Sequence, residues 1–251
     1  MGTDGFIESV FNYCDRWCER CHLTSRCRVF AQERSEFSDP ATQDLANEEF
    51  WRSLERTFRG IKETLAEEAE KRGIVLDEKS IEEERQRSED RFAESQHHPL
   101  LQRAEAYSGM ARQWLAEKES LVAHTVDRLD LAERLDRGRG ANAEKGRIGE
   151  AVDVIQYYLF QIQTKLFRTL DADDLESERQ DPASDTNGSA KVAIIGLDRS
   201  IAAWSVLYEQ ISAEEDSILD LLLHLDRLRK LTEREFPGAR SFVRPGFDTG
   251  R

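Results

Sequence analysis

The stretch that decides the fold is 188-GSAKVAIIGLDRSIAAWSVLYEQ-210, where apolar residues recur every three or four positions. This spacing places them on one face of a helix and predicts an amphipathic helix with a buried side. The residues in register are Ala190, Ile194, Leu197, Ile201, Trp204 and Leu207. An alternating strand pattern is found nowhere in the chain, so we predict an all-α fold, a bundle of long amphipathic helices.

The same spacing predicts four more long helices. One starts at Asp39-Pro40 and ends at Gly73, because Asp is a good N-cap, Pro suits the first helical position and Gly suits the end. A second opens at His98-Pro99 and ends before the loop RGRGANAEKG (137–146). A third covers about 147–170, and the helix of 190–207 follows an acidic loop. The last starts at a capping box of Ser212 and Glu215, and the tail after Phe236 is predicted to be extended.

The charged stretch 77–96 reads as an exposed helix or a mobile connector, and it is the best internal boundary. We therefore divide the chain into a cysteine-rich segment, 1–38, a helix with its charged connector, 39–98, and a helical bundle with an extended tail, 99–251.

The composition restricts the classes of partner. There are 50 acidic and 36 basic residues, a net charge of -14, so the surface repels nucleic acid and nucleic acid is an unlikely partner. The chain has no secretory signal and no run of apolar residues long enough to cross a membrane, so we expect a cytoplasmic protein without a membrane partner. In that compartment, clustered cysteines indicate metal binding or redox chemistry rather than structural disulfides.

All four cysteines lie close together, at Cys14, Cys18, Cys21 and Cys27, with the spacing C-x3-C-x2-C-x5-C. We expect a short amphipathic helix to carry the first two or three of them and the loop 22–26 to bring Cys27 back. Four thiolates are a ligand set for one tetrahedral metal or one cluster. The alternatives are disulfide redox chemistry and unreactive thiols.

The identity of the metal depends on the spacing. Structural zinc sites usually join two cysteine pairs that are a dozen or more residues apart, whereas these ligands are nearly contiguous. The half C-x2-C-x5-C resembles the [4Fe-4S] loop of endonuclease III-type DNA glycosylases. The first spacing departs from that loop and no helix-hairpin-helix motif follows, so glycosylase activity is not implied. The C-x3-C-x2-C of radical SAM enzymes is also present, but the fourth cysteine and the lack of strands argue against that reading.

We favour a [4Fe-4S] cluster over zinc, because short consecutive spacings suit a cluster larger than an ion. The arginines at 16, 20, 26 and 28 would offset the thiolate charge. The run NYCDRWCERC (12–21) also resembles a group of uncharacterised bacterial proteins, which implies no activity.

A second candidate site lies in the bundle. The helix of 147–170 carries a polar line at Glu150, Asp153, Tyr157, Gln161, Lys165 and Arg168, and the next helix carries Lys191 and Asp198. If Glu150, Asp153, Lys165, Lys191 and Asp198 converged in a pocket, they would suit acid–base catalysis or anion binding. The alternative is a solvent-facing or salt-bridged stripe. A di-iron site is disfavoured, because the chain has one Glu-x-x-His motif, Glu94 to His97, where two are needed.

The sequence thus predicts a metal-binding helical protein with a structural, sensing or electron-transfer role, acting with a protein partner or by self-association. An enzyme with a polar pocket in the bundle and a purely structural zinc module are the alternatives.

Overall fold

The computed structural model describes residues 5–36, 40–73, 77–134, 141–172 and 174–248, and within these ranges it contains helices and no strand. The predicted all-α fold class is therefore confirmed. The α-helices are α1 (Arg28–Glu36), α2 (Glu48–Arg72), α3 (Glu78–Gln96), α4 (Pro99–Arg134), α5 (Ala141–Leu170), α6 (Leu175–Gln180), α7 (Asp185–Gln210) and α8 (Glu215–Glu235). None of the described helices has the length and hydropathy that a membrane span requires.

The chain forms two compact units. The N-terminal unit comprises 1–93 together with 245–251, and the bundle unit comprises 94–244. In the bundle unit α4 packs on α5, α5 on α7, α7 on α8 and α8 on α4, so four helices enclose one core.

Aromatic side chains fill the centre of the bundle unit. Trp114 of α4 and Trp204 of α7 meet edge to face, with ring centroids 5.1 Å apart. The indole N–H of Trp204 donates to the hydroxyl of Tyr107 at 3.0 Å, so this buried polar atom has its partner. Burial raises the pKa of Tyr107 to about 12, against a smaller opposite effect of the Trp204 hydrogen bond. The tyrosine is therefore a neutral core residue at physiological pH.

Helices α5 and α7 approach each other closely at Gly196. A Cβ atom there would lie 2.9 Å from Cδ1 of Tyr158 and 3.1 Å from Cγ1 of Ile162. These distances are shorter than ordinary van der Waals contact, so the absence of a side chain lets α5 and α7 approach each other.

Two of the predicted helix boundaries are confirmed. Gly73 ends α2 in the left-handed conformation, φ 67°, and its N–H bonds to the carbonyls of Ala69 and Glu70. Pro99 is the first residue of α4, as its lack of an N–H favours. The charged stretch forms helix α3, which is exposed along nearly all its length.

Other boundaries are wrong for local reasons. α2 starts at Glu48, because the side chain of Asn47 caps it, and Pro40 begins a separate 3-10 turn, Pro40–Thr42; Asp39 lies outside the described residues. α7 starts at Asp185, before the predicted start, because Ser184 Oγ accepts from the N–H of Asn187.

The remaining differences lie near the ends of α5, α6 and α8. The predicted loop 137–146 is helical from Ala141, and the acidic loop contains α6. The predicted Ser212 capping box is absent, since residues 212–214 form a 3-10 turn and no side chain caps α8. The tail is not extended after Phe236, because the turn Ala239–Ser241 follows and Phe242 is buried.

Candidate metal centre

The backbone of the cysteine segment is a series of turns, and the predicted short helix over Cys14 and Cys18 is wrong. Arg16 has φ 63° and Ser9 has φ 57°, both in the left-handed region that non-glycine residues rarely adopt. A left-handed residue between Cys14 and Cys18 interrupts any right-handed helix there. Strained residues of this kind often occur at functional sites.

Two 3-10 turns place the other cysteines. The turn Cys18–Arg20 closes with the N–H of Cys21 donating to the carbonyl of Cys18 at 3.2 Å. The turn Thr24–Arg26 closes in the same way, with the N–H of Cys27 donating to the carbonyl of Thr24 at 3.2 Å. The carbonyl of Cys27 then accepts from the N–H of Ala31, so this cysteine is fixed to the start of α1.

All four cysteines line one cavity. Each is a free thiol and partly buried, and the cavity between them has a volume of about 20 Å³. The rest of its wall is mostly apolar and comprises Val10, Phe11, Trp17, Leu23, Phe30 and Phe247, together with Asp15, Arg16 and Thr24. A volume of this size holds about one water molecule or one ion.

Two of the sulfur atoms have hydrogen-bond partners. The thiol of Cys14 donates to the carbonyl of Phe11 at 3.3 Å. The backbone N–H of Leu23 donates to Sγ of Cys21 at 3.4 Å. Hydrogen bonds from the backbone to sulfur stabilise a thiolate and tune the metal that it binds.

The thiols affect one another electrostatically. Burial raises the pKa of Cys18, the sulfur atoms of Cys14 and Cys21 and the carboxylate of Glu33 raise it further, and Arg16 lowers it. Several thiolates at such close quarters therefore need a cation to be stable together.

The neighbouring arginines have other contacts as well. Arg16 forms an ion pair with Glu33 at 2.9 Å, Arg20 lies over the ring of Trp17 at 4.0 Å, and Arg28 lies 5.8 Å from the ring centroid of Phe6. Arg26 is exposed. Arg16 is thus the arginine whose charge acts on the pKa of Cys18.

The four cysteines line the same cavity, but their side chains do not have the arrangement of a metal coordination sphere. Within the part of the chain that the structure describes, no group of three or more His, Cys, Asp or Glu side chains meets the geometry of a bound metal ion. His22, also in the segment, packs edge to face against Phe247 with centroids 5.9 Å apart.

Phe247 was missed by the sequence prediction. It belongs to the C-terminal residues of the N-terminal unit, which were predicted to be an extended tail. Gly246 beside it has φ 75°, and a Cβ atom there would lie 2.7 Å from Ile7, so glycine is needed for this close approach. Apart from the glycine, the sequence contains no signal for this contact.

The polar candidates of the bundle unit are spread along α5 and α7. Glu150 and Asp153 lie on the exposed side of α5, whereas Lys165 is buried. Glu150 and Lys165 are separated by about 22 Å along the helix axis, since each residue adds about 1.5 Å. The structure therefore does not gather these side chains around one pocket.

Lys191 and Asp198 form hydrogen bonds and ion pairs with residues of α8 and of the segment that follows it. The ammonium of Lys191 donates to the carbonyl of Phe242 and, at 3.4 Å, to that of Arg240. Asp198 binds the guanidinium groups of Arg229 at 3.3 Å and Arg240 at 2.6 Å. These contacts anchor the segment after α8, and the two arginines were not recognised from the sequence.

Comparison with known proteins adds no relative. No family model matches the chain, and no curated protein or solved structure matches it significantly.

Proposed function

We propose that the four cysteines bind a metal centre as thiolates and that holding this centre is the function of the N-terminal unit. The supporting observation is the shared cavity: two 3-10 turns and the chain that precedes them bring four partly buried cysteines to one largely apolar space. A donor set of four thiolates suits zinc and iron–sulfur clusters.

The small core of this unit supports the same proposal. Among its described residues, the buried apolar side chains are Val10, Leu23 and Ala69. Small units with so little core usually depend on a metal, disulfides or association with another chain. The four cysteines are free thiols, so a metal is the natural source of the missing stability.

Two observations favour different metals. The nearly contiguous spacing of the ligands favours a [4Fe-4S] cluster, with a role in electron transfer or sensing. The cavity volume of about 20 Å³ favours a single zinc ion, which would give the centre a structural role. For either metal the thiols would have to rearrange into a ligand sphere, because among the described residues no group of three such side chains has the geometry of a bound metal ion.

Anaerobic purification, followed by an absorption spectrum and metal analysis, tests the proposal. A cluster would give a broad band near about 400 nm and about four irons per chain, and zinc would give a colourless protein with about one zinc. The Cys27→Ser variant should lose the metal, whereas Ser25→Ala, at an exposed residue of the same turn, should keep it. A wild-type chain without either metal would overturn the proposal.

A further inference from the structure

Helix α2 has an apolar stripe that is exposed except at Leu54, which is half-buried. Its members, spaced alternately by three and four residues, are Trp51, Leu54, Phe58, Ile61 and Leu65. The exposed fraction is 56% for Trp51, 58% for Phe58, 49% for Ile61 and 60% for Leu65. This alternating spacing is the heptad pattern by which two helices pack side by side.

A groove lies next to the stripe. From α2 it is lined by the small residues Ser53, Thr57, Gly60 and Thr64, by Arg56, and by Ile61 and Leu65 of the stripe. Three polar residues of α1 complete this cavity of about 800 Å³. A Cβ atom at Gly60 would meet no other atom within 4 Å, so the floor of the groove is open. Because Ile61 and Leu65 belong to both, the groove is continuous with the exposed stripe and widens the open surface of α2 on that side.

We propose that the stripe of α2 docks against α2 of a second copy of this chain, in an antiparallel two-fold dimer. A stripe with heptad spacing can pack against an identical stripe that runs in the opposite direction, and a two-fold interface requires such self-complementarity. Phe58 of each copy then packs beside Ile61 of the other, and Leu54 beside Leu65.

The charges that flank the stripe fit the antiparallel direction. Glu55 and Lys62 lie seven residues apart on the same side of α2, each directly after a member of the stripe. Positions of this type face each other in an antiparallel pair of helices, so Glu55 of each copy meets Lys62 of the other. In a parallel pair they would not meet. In the single chain Glu55 pairs with Arg59 at 2.9 Å, an exposed contact that is easily exchanged.

The area is sufficient for a weak dimer. The stripe exposes on the order of 400 Å² of apolar surface per chain, within the range at which such patches mark interaction sites. Two copies, with the polar rims around the stripes, approach the lower limit of specific interfaces, about 1,200 Å² in total. We therefore expect a dimer that dissociates on dilution.

Sedimentation equilibrium of the full chain, with its metal centre intact, tests the proposal. Between about 1 and 200 μM the average mass should rise from one chain toward two. Phe58→Glu and Ile61→Glu should remain monomeric over this range. Phe160→Glu is the matched control, because Phe160 is 70% exposed but lies on α5, and this variant should dimerise as the wild type does.

Charge reversal tests the direction of the pairing. Glu55→Lys alone should weaken the dimer about tenfold, since two attractive pairs become repulsive. Lys62→Glu alone should do the same, and the double variant should restore the wild-type dissociation constant. Failure of this rescue would overturn the antiparallel arrangement.

Three results would overturn the dimer itself. One is a wild-type chain that stays monomeric at every concentration. Another is a dimer that persists in Phe58→Glu, which would place the interface elsewhere. The third is a monomeric wild-type chain that loses the same stability through Phe58→Glu as through Ile81→Glu, a substitution on the exposed helix α3. In that case α3 of the same chain would cover the stripe. The proposal does not depend on which metal the cysteines bind.

Discussion

The two units of this chain are stabilised in different ways. The bundle unit buries large side chains on four helices, including Tyr107, Trp204 and Leu225, each with no exposed surface. The N-terminal unit has long helices but leaves most of their apolar residues in solvent, among them Phe58 and Leu65. Burial of apolar surface is the main source of folding free energy, so the bundle unit can fold on its own core.

The difference shows that helix content alone does not indicate a stable unit. An isolated helix of 25 residues, the length of α2, is marginally stable without a partner that covers its apolar face. The N-terminal unit therefore needs other sources of stability. We propose that a metal centre supplies this stability to the cysteine segment and that a second copy of the chain supplies it to α2.

Metal removal is expected to have the largest effect on stability. It should affect the N-terminal unit and not the bundle unit. A structural zinc site can contribute about 10 kcal/mol or more to folding, so chelation should unfold the cysteine segment, 5–36. Amide hydrogen exchange followed by mass spectrometry should show lost protection there and unchanged protection in α7. Restored protection after the metal is added back is the control, and equal loss in both units would contradict the comparison.

The next prediction compares the effect of a leucine-to-alanine substitution in each of the two units. Leu197 is fully buried in the bundle unit, and Leu45 in the N-terminal unit is 67% exposed. Leu197→Ala should reduce the free energy of unfolding of the bundle by about 2–5 kcal/mol, through lost burial and the cavity left behind. Leu45→Ala should change the stability by less than about 0.5 kcal/mol. Denaturant titrations at low protein concentration measure both, and a similar cost for the two would refute the distinction between the units.

The sequence predicts the bundle unit better than the N-terminal unit, for physical reasons. From Pro99 onward, the apolar residues that have helical spacing are also buried. The sequence pattern therefore predicts α4, α5, α7 and α8. In the cysteine segment the spacing also suggested a helix, but the left-handed Arg16 breaks it, and no residue type signals that conformation there.

The stripe of α2 illustrates a second limit. Periodicity reveals that a helix has an apolar face, but it does not reveal what covers that face. Trp51 and Phe58 have the spacing of core residues and are more than half exposed. The sequence pattern also does not predict that Phe247 lines the cysteine cavity, because this contact joins residues at opposite ends of the chain.

A smaller effect concerns helix packing within the bundle unit. Gly196→Ala should destabilise it by about 1–3 kcal/mol, because the added methyl group would overlap Tyr158 and Ile162. Gly109→Ala in α4 meets open space, so it should stabilise the unit by about 0.5–1 kcal/mol through better helix propensity. Opposite shifts in the melting temperature are expected. Two shifts of the same sign would mean that α5 and α7 do not approach closely at Gly196.

The smallest effect is a pH dependence of the bundle unit that comes from His98. Its Nδ1 accepts from the N–H of Leu100 at 3.3 Å, at the start of α4, and its Nε2 lies 3.4 Å from Glu235. A neutral ring is needed for Nδ1 to accept. Burial lowers the pKa of His98 and the charge of Arg179 lowers it further, while Glu235 raises it.

Because the folded pKa lies below the unfolded value of about 6.5, the unfolded chain binds the proton more readily. The stability that the neutral ring provides is therefore complete above about pH 6.5 and is lost as the pH falls toward the folded pKa. The slope is at most about 1.4 kcal/mol per pH unit, the value for one proton.

His98→Asn keeps an acceptor for the N–H of Leu100 but does not titrate, so its unfolding free energy should lack this slope. Chemical denaturation of both proteins between about pH 5 and 8 measures the difference. Parallel pH profiles would show that His98 is equally easy to protonate in the folded and unfolded chains, and that its place at the start of α4 does not depend on its charge.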